Sequence, residues 1–291
     1  MPTTTDLTII ILNYNAQYWL KKTLKSLVEQ YLNSTRKKVQ VVVVDNNSQD
    51  GSAEIVAKEF KLVKLYTLDK NNGFAAGNNV ALADVTSKYV MLLNSDMELT
   101  PASNLDHLIE YLDANLKTAV ITPKITLFDG SLDPACHRGE PTPWASLTYF
   151  IGLEKLFPKI KLFSQYHQSY KSLSTTHEID ACSGAAMMVR VSDIKKVGVL
   201  DEQFFMYAED LDWCRRFRLA GKKITFYPAV VIIHHKYKSG LSSLSKQTAR
   251  KTQQHFYDTM LQYYDKHYQA LYPAWIRKSV RAFIFLKKGG V

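Results

Sequence analysis

The chain has 291 residues, and 46% of them are hydrophobic, which is enough for one large globular domain with an appendage. Its three cysteines are odd in number and lack CxxC spacing, so we expect no disulfide framework and a reducing, cytoplasmic compartment. No stretch approaches the roughly 18 consecutive apolar residues of a membrane span, and residues 1–6 lack the features of a secretory signal.

The net charge of +10 is concentrated at one end of the chain. Residues 236–291 contain eleven lysines and arginines against two acids, whereas the first 235 residues are nearly neutral. A basic block confined to one end indicates a surface for an anionic partner, either lipid or nucleic acid. No recognised nucleic-acid-binding motif accompanies the charge, so the sequence favours lipid.

The first half of the chain alternates apolar runs with segments of helical periodicity, which predicts strands of a parallel sheet joined by helices. The predicted strands cover residues 7–12, 39–44, 62–68 and 89–93, and the predicted helices cover 16–31, 53–60 and 73–83. Neither a GxGxxG turn nor a GxxxxGK[ST] motif is present, so the sequence supports neither a dinucleotide-binding fold nor a P-loop ATPase.

The second half is less regular. Residues 129–180 lose periodicity and contain many aromatic side chains, which is typical of a variable, partly helical insertion near a binding cleft. Around it we predict helices over 104–115, 193–197, 244–268 and 273–288, a helix that begins near Glu209 and ends at Gly221, and strands over 119–128 (interrupted by Pro123), 182–190, 223–227 and 229–233.

The fourth predicted strand runs into the polar loop Asn94-Ser95-Asp96. Open α/β sheets bind ligands at the carboxyl ends of their strands, so Asp96 stands where a charged ligand would bind. A hard Mg²⁺ or Mn²⁺, held by one or two carboxylates and by phosphate oxygens, would suit this position. A simple turn made by the same three residues is the alternative.

Polar groups at two further places would complete one cleft with this loop. Asp45 follows the second strand, while Glu209 and Asp210 begin a helix. A carboxylate in a cleft can deprotonate a hydroxyl that attacks an electrophilic carbon, which makes Asp210 a candidate base. Acids at a helix start also cap the helix, so we assign one of this pair to capping and one to catalysis. His234 or His235, at the end of a strand, could complete a metal site or bind phosphate, with a structural role as the alternative.

Seven short segments stand in order across residues 7–240. They are residues 11–15 (ILNYN), 44–52 (VDNNSQDGS), 72–79 (NGFAAGNN), 93–96 (LNSD), 183–185 (SGA), 204–212 (FFMYAEDLD) and 234–235 (HH). Together they resemble the family 2 glycosyltransferases of the GT-A fold, and within them the bacterial rhamnosyltransferase-like branch. Many GT-A enzymes have two acids in the metal motif, whereas this chain keeps only Asp96. Because only one carboxylate remains, a histidine ligand becomes more important for binding the metal.

The resemblance implies a role for each matching residue. Asp96 would bind Mg²⁺ or Mn²⁺ together with His234 or His235, and Asp210 would be the base of an inverting displacement. Glu209, Gly184 and Trp213, the last of which lies just beyond a matching segment, are further candidates for contact with the acceptor or for another role in the site. The residues expected around the donor nucleotide are Asn13, Asn15, Asp45, Asn47, Gly73, Gly77, Asn78, Asn94 and Ser95.

The resemblance also implies an α/β, GT-A glycosyltransferase domain over residues 1–240, with a mostly parallel central sheet flanked by helices and with the 129–180 insertion on the acceptor side. Residues 241–291 would form a basic amphipathic helical tail at the inner face of the plasma membrane; docking on the domain or a dimer contact is the alternative. The expected donor is dTDP-rhamnose, with a UDP-hexose or UDP-galactofuranose as the alternative. The expected acceptor is a glycan or lipid-linked glycan of a cell-surface polysaccharide, and a non-catalytic nucleotide-sugar-binding protein is the rival.

Overall fold

A computed structural model describes residues 5–236 and 246–287 of the chain. In these residues a nine-stranded sheet has the order β3-β2-β1-β4-β8-β6-β9-β5, and β7 pairs with β9. The strands are β1 (Leu7–Asn13), β2 (Val39–Asp45), β3 (Lys64–Thr67), β4 (Tyr89–Asn94), β5 (Met97–Leu99), β6 (Thr118–Leu127), β7 (His177–Ile179), β8 (Ala186–Arg190) and β9 (Lys223–His234).

Ten α-helices in the same residues flank this sheet. They are α1 (Gln17–Leu27), which continues as a π-helical turn over Val28–Leu32, α2 (Ser52–Glu59), α3 (Gly73–Leu82), α4 (Asp106–Ala114), α5 (Pro143–Phe150), α6 (Leu153–Leu156), α7 (Val191–Val197), α8 (Glu209–Leu219), α9 (Lys246–His267) and α10 (Ala274–Lys287). None of the helices in the described part of the chain combines the length and apolarity of a membrane-spanning helix.

Strands β1 to β4 form the parallel half of the sheet, as predicted. β1 pairs in parallel with both β2 and β4, and β3 extends the sheet beyond β2. The apolar residues of β1, β2 and β4 are mostly buried because helices cover both faces, whereas those of the edge strand β3 are half-buried. The register places Asn13 opposite Asp45 and Leu12 opposite Asn94, so the polar strand ends meet at one edge.

The sheet is mixed, whereas the strand and helix alternation suggested parallel pairing. β8 is antiparallel to both β4 and β6, and β5 and β7 are antiparallel to β9. Six of the nine described strands still run in one direction, so the expected mostly parallel sheet is confirmed. Ala186 at the start of β8 pairs with Leu93 near the end of β4, which brings residues 183–185 to the polar edge.

Contrary to the prediction, neither Pro123 nor Pro228 interrupts its strand. Pro123 lies inside the continuous strand β6, and Pro228 lies inside β9, where two separate strands were expected. The pairing of β6 with β9 shifts register between Pro123 and Lys124. The irregularity accommodates residues that have no N–H to donate.

The last two helices pack onto the sheet domain. Tyr263 and Tyr264 of α9, and Tyr268 just after it, are buried in the main hydrophobic core. The carboxylate of Asp212 on α8 is fully buried and bonds to Arg216 and to Lys266 and His267 of α9. Burial alone would raise the pKa of Asp212, but the hydrogen bonds from His267 and Lys266 lower it to about 2. The three cysteines are also buried, unpaired packing residues.

The Asp212 cluster predicts an acid-sensitive stability. Because the pKa of Asp212 falls from 3.8 to about 2 on folding, its contribution is present above pH 3.8 and is lost as the pH falls toward 2. Asp212→Asn should lower the free energy of unfolding in urea by about 3 kcal/mol at pH 7, because it removes the buried carboxylate that Arg216, Lys266 and His267 share. The difference in the free energy of unfolding between Asp212→Asn and the wild type should shrink by about 2 kcal/mol between pH 4 and pH 2.

The matched control is Asp265→Asn, which removes a more exposed carboxylate that pairs with Arg277 and Arg281 of α10. Asp265→Asn should lower the free energy of unfolding by less than about 1 kcal/mol. An Asp212→Asn variant as stable as the wild type at pH 7 would contradict the role of this cluster.

Candidate active site

The polar edge of β1 and β2 is a preorganised hydrogen-bond network. The Asn13 side-chain amide donates to Asp45 Oδ1 at 3.1 Å and to Ser48 Oγ at 3.1 Å. Asp45 Oδ2 also accepts from the Ser48 backbone N–H at 2.9 Å. Asn13 Oδ1 is buried and has no hydrogen-bond partner among the described residues. Such an atom is an acceptor left for a ligand, since buried polar groups are rarely unpaired.

Two asparagines shape the loops above this edge. Asn15 and Asn47 have left-handed backbone conformations, with φ of 50° and 66°, which asparagine tolerates better than most residues. The Asn15 side-chain oxygen accepts from the Gln49 backbone N–H at 2.7 Å, and the Asn15 N–H donates to Ser48 Oγ at 2.9 Å. The loops after β1 and β2 are therefore bonded to each other.

Close packing explains why glycine occupies positions 73 and 77 of α3. Gly73 has φ of 80°, and a Cβ there would lie 2.2 Å from the backbone oxygen of Phe205. A Cβ on Gly77 would lie 2.6 Å from the Leu12 side chain, so this glycine lets α3 approach β1. Asn78 is buried and its side chain donates to the Phe74 carbonyl. All the contacts described here for Gly73, Gly77 and Asn78 are with other parts of the protein.

Sequence reasoning missed two asparagines that hold the α3 region in place. The Asn46 side chain donates to Asn71 Oδ1 at 2.8 Å and accepts from the Asn72 N–H at 2.9 Å. The Asn79 side chain donates to the Leu200 carbonyl at 2.9 Å. Both lie inside matched motifs, but only the fold reveals that they join distant loops.

The predicted metal residue Asp96 lies beside His234. Asp96 Oδ1 is 3.2 Å from His234 Nε2, and the other ring nitrogen, Nδ1, is 2.7 Å from Asp133 Oδ2. Burial opposes protonation of the ring, but the hydrogen bonds to Asp133 and Asp96 raise the pKa of His234 to about 9. Burial would favour the neutral acid at Asp133, yet His234 and Lys236 hold its pKa below the ordinary value. Asp133 lies in the aperiodic insertion and was not anticipated.

His235 faces a different environment. Its Nε2 is 2.6 Å from Glu98 Oε2, and its ring stacks on Trp19 with centroids 4.6 Å apart. Only its backbone N–H bonds to Asp96, through the Asp96 carbonyl at 2.9 Å. The structure thus places the side chain of His234, and not that of His235, against the Asp96 carboxylate.

The Asn94-Ser95-Asp96 loop is held from two sides. The Thr23 hydroxyl of α1 lies 2.8 Å from the Ser95 carbonyl oxygen and 2.7 Å from that of Met97. The Asn94 N–H donates to the Ala185 carbonyl at 2.9 Å. The second bond joins this loop to the residues that precede β8.

Asp210 lies at the same junction. Its Oδ2 accepts from the Gly184 N–H at 3.3 Å and from Arg138 Nη2 at 2.7 Å, while its Oδ1 accepts from the Leu211 N–H at 2.7 Å. A Cβ on Gly184 would lie 2.9 Å from the Phe74 ring, so glycine permits this close approach to α3. Arg138 comes from the insertion and was not predicted. The structure therefore brings Asp210 and the β4 loop together through residues 184 and 185.

Glu209 differs from its neighbour. It is buried, and its Oε2 has no hydrogen-bond partner in the described residues. Burial and the adjacent Asp210 raise the pKa of Glu209 well above its ordinary value. Tyr207 and Ala208 just before it have φ of 72° and 62°, a conformation that costs non-glycine residues about 1 kcal/mol or more each. This strained turn sets the positions of Glu209 and Asp210 at the start of α8.

Trp213 is a core residue. Its side chain is fully buried, and its indole N–H donates to the Gly198 carbonyl at 2.8 Å. The residue packs one turn into α8 beside Phe217, so its side chain has no exposed surface for an acceptor. Two cavities of about 560 and 670 Å³ also lie elsewhere, along β6, β9 and the insertion, and none of the predicted site residues lines them.

Solved structures share this architecture. The mannosyltransferase PcManGT from Pyrobaculum calidifontis, in complex with GDP-Man and Mn2+, has a TM-score of 0.61, with 98% of this chain and 70% of that chain covered at 16% identity. GalNAc-T7 with UDP, GalNAc and Mn2+ has a TM-score of 0.56, with 80% and 44% covered at 14% identity. The fold is that of the GT-A glycosyltransferases, as expected.

Sequence comparison then places the chain within that class. The family model described as glycosyl transferase family 2 matches residues 8–198, and the one described as glycosyl transferase family group 2 matches residues 143–287. Because the first match covers more than half of the chain, the protein belongs to glycosyl transferase family 2 and is a glycosyltransferase.

Its relatives include rhamnosyltransferases. Rhamnosyltransferase WbbL of Escherichia coli (strain K12) is 27% identical over 249 residues, with 82% of this chain and 86% of that protein covered. The N-acetylglucosaminyl-diphospho-decaprenol L-rhamnosyltransferase of Mycobacterium tuberculosis is 25% identical over 214 residues, with 70% and 68% covered. The expected likeness to the rhamnosyltransferase branch is confirmed.

Proposed function

We propose that the protein transfers a sugar, with inversion, from a nucleoside diphosphate donor to a glycan or lipid-linked acceptor of a cell-surface polysaccharide. The observation that carries the proposal is the junction of Asp210 with the strand edge that contains Asp96, through the bonds of residues 184 and 185. A carboxylate beside a candidate diphosphate site is what an in-line displacement at a sugar carbon requires.

The donor nucleotide is proposed to lie over the ends of β1 and β2. Asn13 Oδ1 supplies an unpaired acceptor, and Asp45 is held beside it with one oxygen bonded to the Asn13 amide. A thymine or uracil ring carries an N–H donor that such an acceptor can bind. Asn15 and Asn47 fix the loops around this position. Gly73, Gly77, Asn78, Asn94 and Ser95 then act by holding the walls of the site.

The residues around Asp96 fit a divalent cation. Asp96 offers a carboxylate, and His234 offers Nε2 once that nitrogen has lost the proton that Asp96 and Asp133 stabilise on the ring. Asp133 holds the opposite ring nitrogen in the arrangement usual for ligating histidines. No group of three or more ligating side chains occurs in the described ranges, so donor phosphates would complete the coordination of Mg²⁺ or Mn²⁺. When bound, the cation would neutralise the charge of the departing diphosphate.

Asp210 is proposed as the base. Its carboxylate takes the proton of the acceptor hydroxyl as the hydroxyl oxygen bonds to the anomeric carbon. The bond from that carbon to the diphosphate oxygen breaks, and the configuration inverts. Glu209 is the poorer candidate, because burial and Asp210 raise its pKa and favour its neutral form. Arg138 positions Asp210 through their ion pair.

The acceptor is proposed to be lipid-linked, as the name of the mycobacterial relative states for that enzyme. Residues 1–240 would form the catalytic domain, with the 129–180 insertion on the acceptor side. The basic region from residue 241 onward would contact anionic lipid at the inner face of the plasma membrane. Residues 241–245 and 288–291 of that region lie outside the described residues.

A thermal-shift screen of nucleotide sugars tests the donor assignment. With dTDP-rhamnose at 100 times its dissociation constant, the protein should gain about 2.7 kcal/mol of stability. UDP-glucose and UDP-galactofuranose at the same concentration should stabilise it less. A larger shift with a UDP-sugar would overturn the donor assignment and leave the transfer chemistry intact.

A further inference from the structure

We propose that residues 144–162 of the insertion, together with the exposed face of α10, form a docking surface for an anionic phospholipid bilayer. Among the described residues, 21 large hydrophobic side chains are exposed, and eight of them lie in this stretch of 19 residues. The eight are Trp144, Leu147, Tyr149, Ile151, Leu156, Phe157, Ile160 and Leu162. An apolar patch of this density marks an interaction surface.

The segment is anchored, although its apolar side chains face outward. The Thr142 hydroxyl caps α5 by accepting from the Ala145 N–H at 3.1 Å, and Ala145 and Thr148 are fully buried. The Trp144 indole N–H donates to the Leu162 carbonyl at 2.8 Å, which closes the segment on itself. The exposed apolar groups are therefore part of an ordered surface.

The charges within this segment match an anionic partner. Lys155, Lys159 and Lys161 are exposed between the apolar residues. The single acid of the segment, Glu154, is buried and accepts from the His167 backbone N–H at 2.8 Å. Residues 144–162 thus present cations and apolar groups without an exposed carboxylate, which suits the interface of an anionic membrane.

The helix α10 continues the surface. The Phe150 and Phe283 rings are 5.1 Å apart, which joins α5 to α10. Ile284 is buried and fixes the inner face of α10, while its outer face exposes Trp275, Phe285 and Leu286. Residues 274–287 contain no acid and include Lys278 and Arg281, both exposed. The helix α10 is therefore one half of a larger surface, and residues 144–162 are the other half.

A chain of contacts through Tyr166 and Arg138 connects this surface to the proposed base. Tyr149 of α5 packs on Tyr166 with centroids 4.9 Å apart, and the Gly139 N–H donates to the Tyr166 carbonyl at 2.7 Å. Gly139 follows Arg138, which pairs with Asp210. A bilayer on this face would hold the hydroxyl of a lipid-linked acceptor near Asp210. That consequence rests on the proposed function, whereas lipid binding itself does not.

The test is co-sedimentation of the full chain with vesicles of phosphatidylcholine alone or with phosphatidylglycerol. The wild type should bind the phosphatidylglycerol vesicles, and Leu156→Glu with Ile160→Glu should weaken binding by about tenfold or more, since two apolar groups are lost and two anions are added. The matched control, Leu116→Glu with Leu219→Glu, alters exposed leucines outside both segments and should bind as the wild type does.

A second variant keeps the test independent of folding. Lys155→Gln, Lys159→Gln and Lys161→Gln together leave the apolar groups in place and should also weaken binding to phosphatidylglycerol vesicles. Wild-type binding by both sets of variants would overturn the proposal. So would a dimer, measured by light scattering without lipid, that only the Leu156/Ile160 variant dissociates, because the face would then pair with a second copy. Vesicle binding without any sugar transfer would refute the proposed function alone.

Discussion

Asp210→Asn is expected to reduce the rate of sugar transfer by about 10²- to 10⁴-fold, the usual contribution of a general base. The amide has nearly the same size and keeps one acceptor oxygen, so it can retain one of the two bonds from the Gly184 and Leu211 N–H groups and the site should keep its shape. It cannot take a proton from the acceptor. Donor affinity, measured by thermal shift, should therefore change little while turnover falls.

Two matched variants separate catalysis from structure at this position. Arg138→Gln breaks the same ion pair but keeps the Asp210 carboxylate, so its turnover should fall much less than that of Asp210→Asn. Glu209→Gln tests the neighbouring acid, which is expected to be neutral already. If Glu209→Gln loses activity and Asp210→Asn retains it, the two carboxylates have been assigned the wrong way round.

Asp96→Asn is expected to lower metal-dependent transfer by more than about 100-fold, because it removes the one carboxylate proposed as a direct ligand. The measurement is the transfer rate as a function of Mn²⁺ concentration, with excess EDTA as the zero point. Asp133→Asn should cost about 10- to 100-fold through its effect on the orientation of His234.

Adjacent histidines provide the control for this second prediction. His234→Gln should weaken metal activation, whereas His235→Gln should leave the metal dependence unchanged, because the His235 ring faces Trp19 and Glu98. Undiminished turnover in EDTA, or equal effects of the two histidine substitutions, would remove Asp96 and His234 from a metal role.

The parallel half of the sheet was predictable because burial on both faces leaves a direct trace in the sequence. Runs such as residues 41–44 and 89–93 are apolar at every position, and a polar residue marks where each strand reaches the edge. The edge residues Asn13, Asp45 and Asp96 follow from the same rule. Strand direction in the second half left no such trace, so the antiparallel pairing of β8 was not visible.

The partners of the site residues could not be predicted for a different reason. Arg138 is 72 residues from Asp210, and Asp133 is 101 residues from His234. Both lie in an aperiodic segment, where an Asp before Pro134 looks like an ordinary turn. Buried ion pairs over such separations depend on topology, which local patterns do not encode. Topology also decides that Trp213, one position after the 204–212 segment, belongs to the core.

Release of nucleoside diphosphate by the purified full chain is the decisive measurement for the proposed sugar transfer. With dTDP-rhamnose and Mn²⁺, we expect release of dTDP that accelerates when a glycan or lipid-linked acceptor is added. The release should be lost in EDTA and in the Asp96→Asn and Asp210→Asn variants. A folded wild-type protein that binds the nucleotide sugars but releases nucleoside diphosphate from none of them would overturn the proposed function and favour a non-catalytic binding protein.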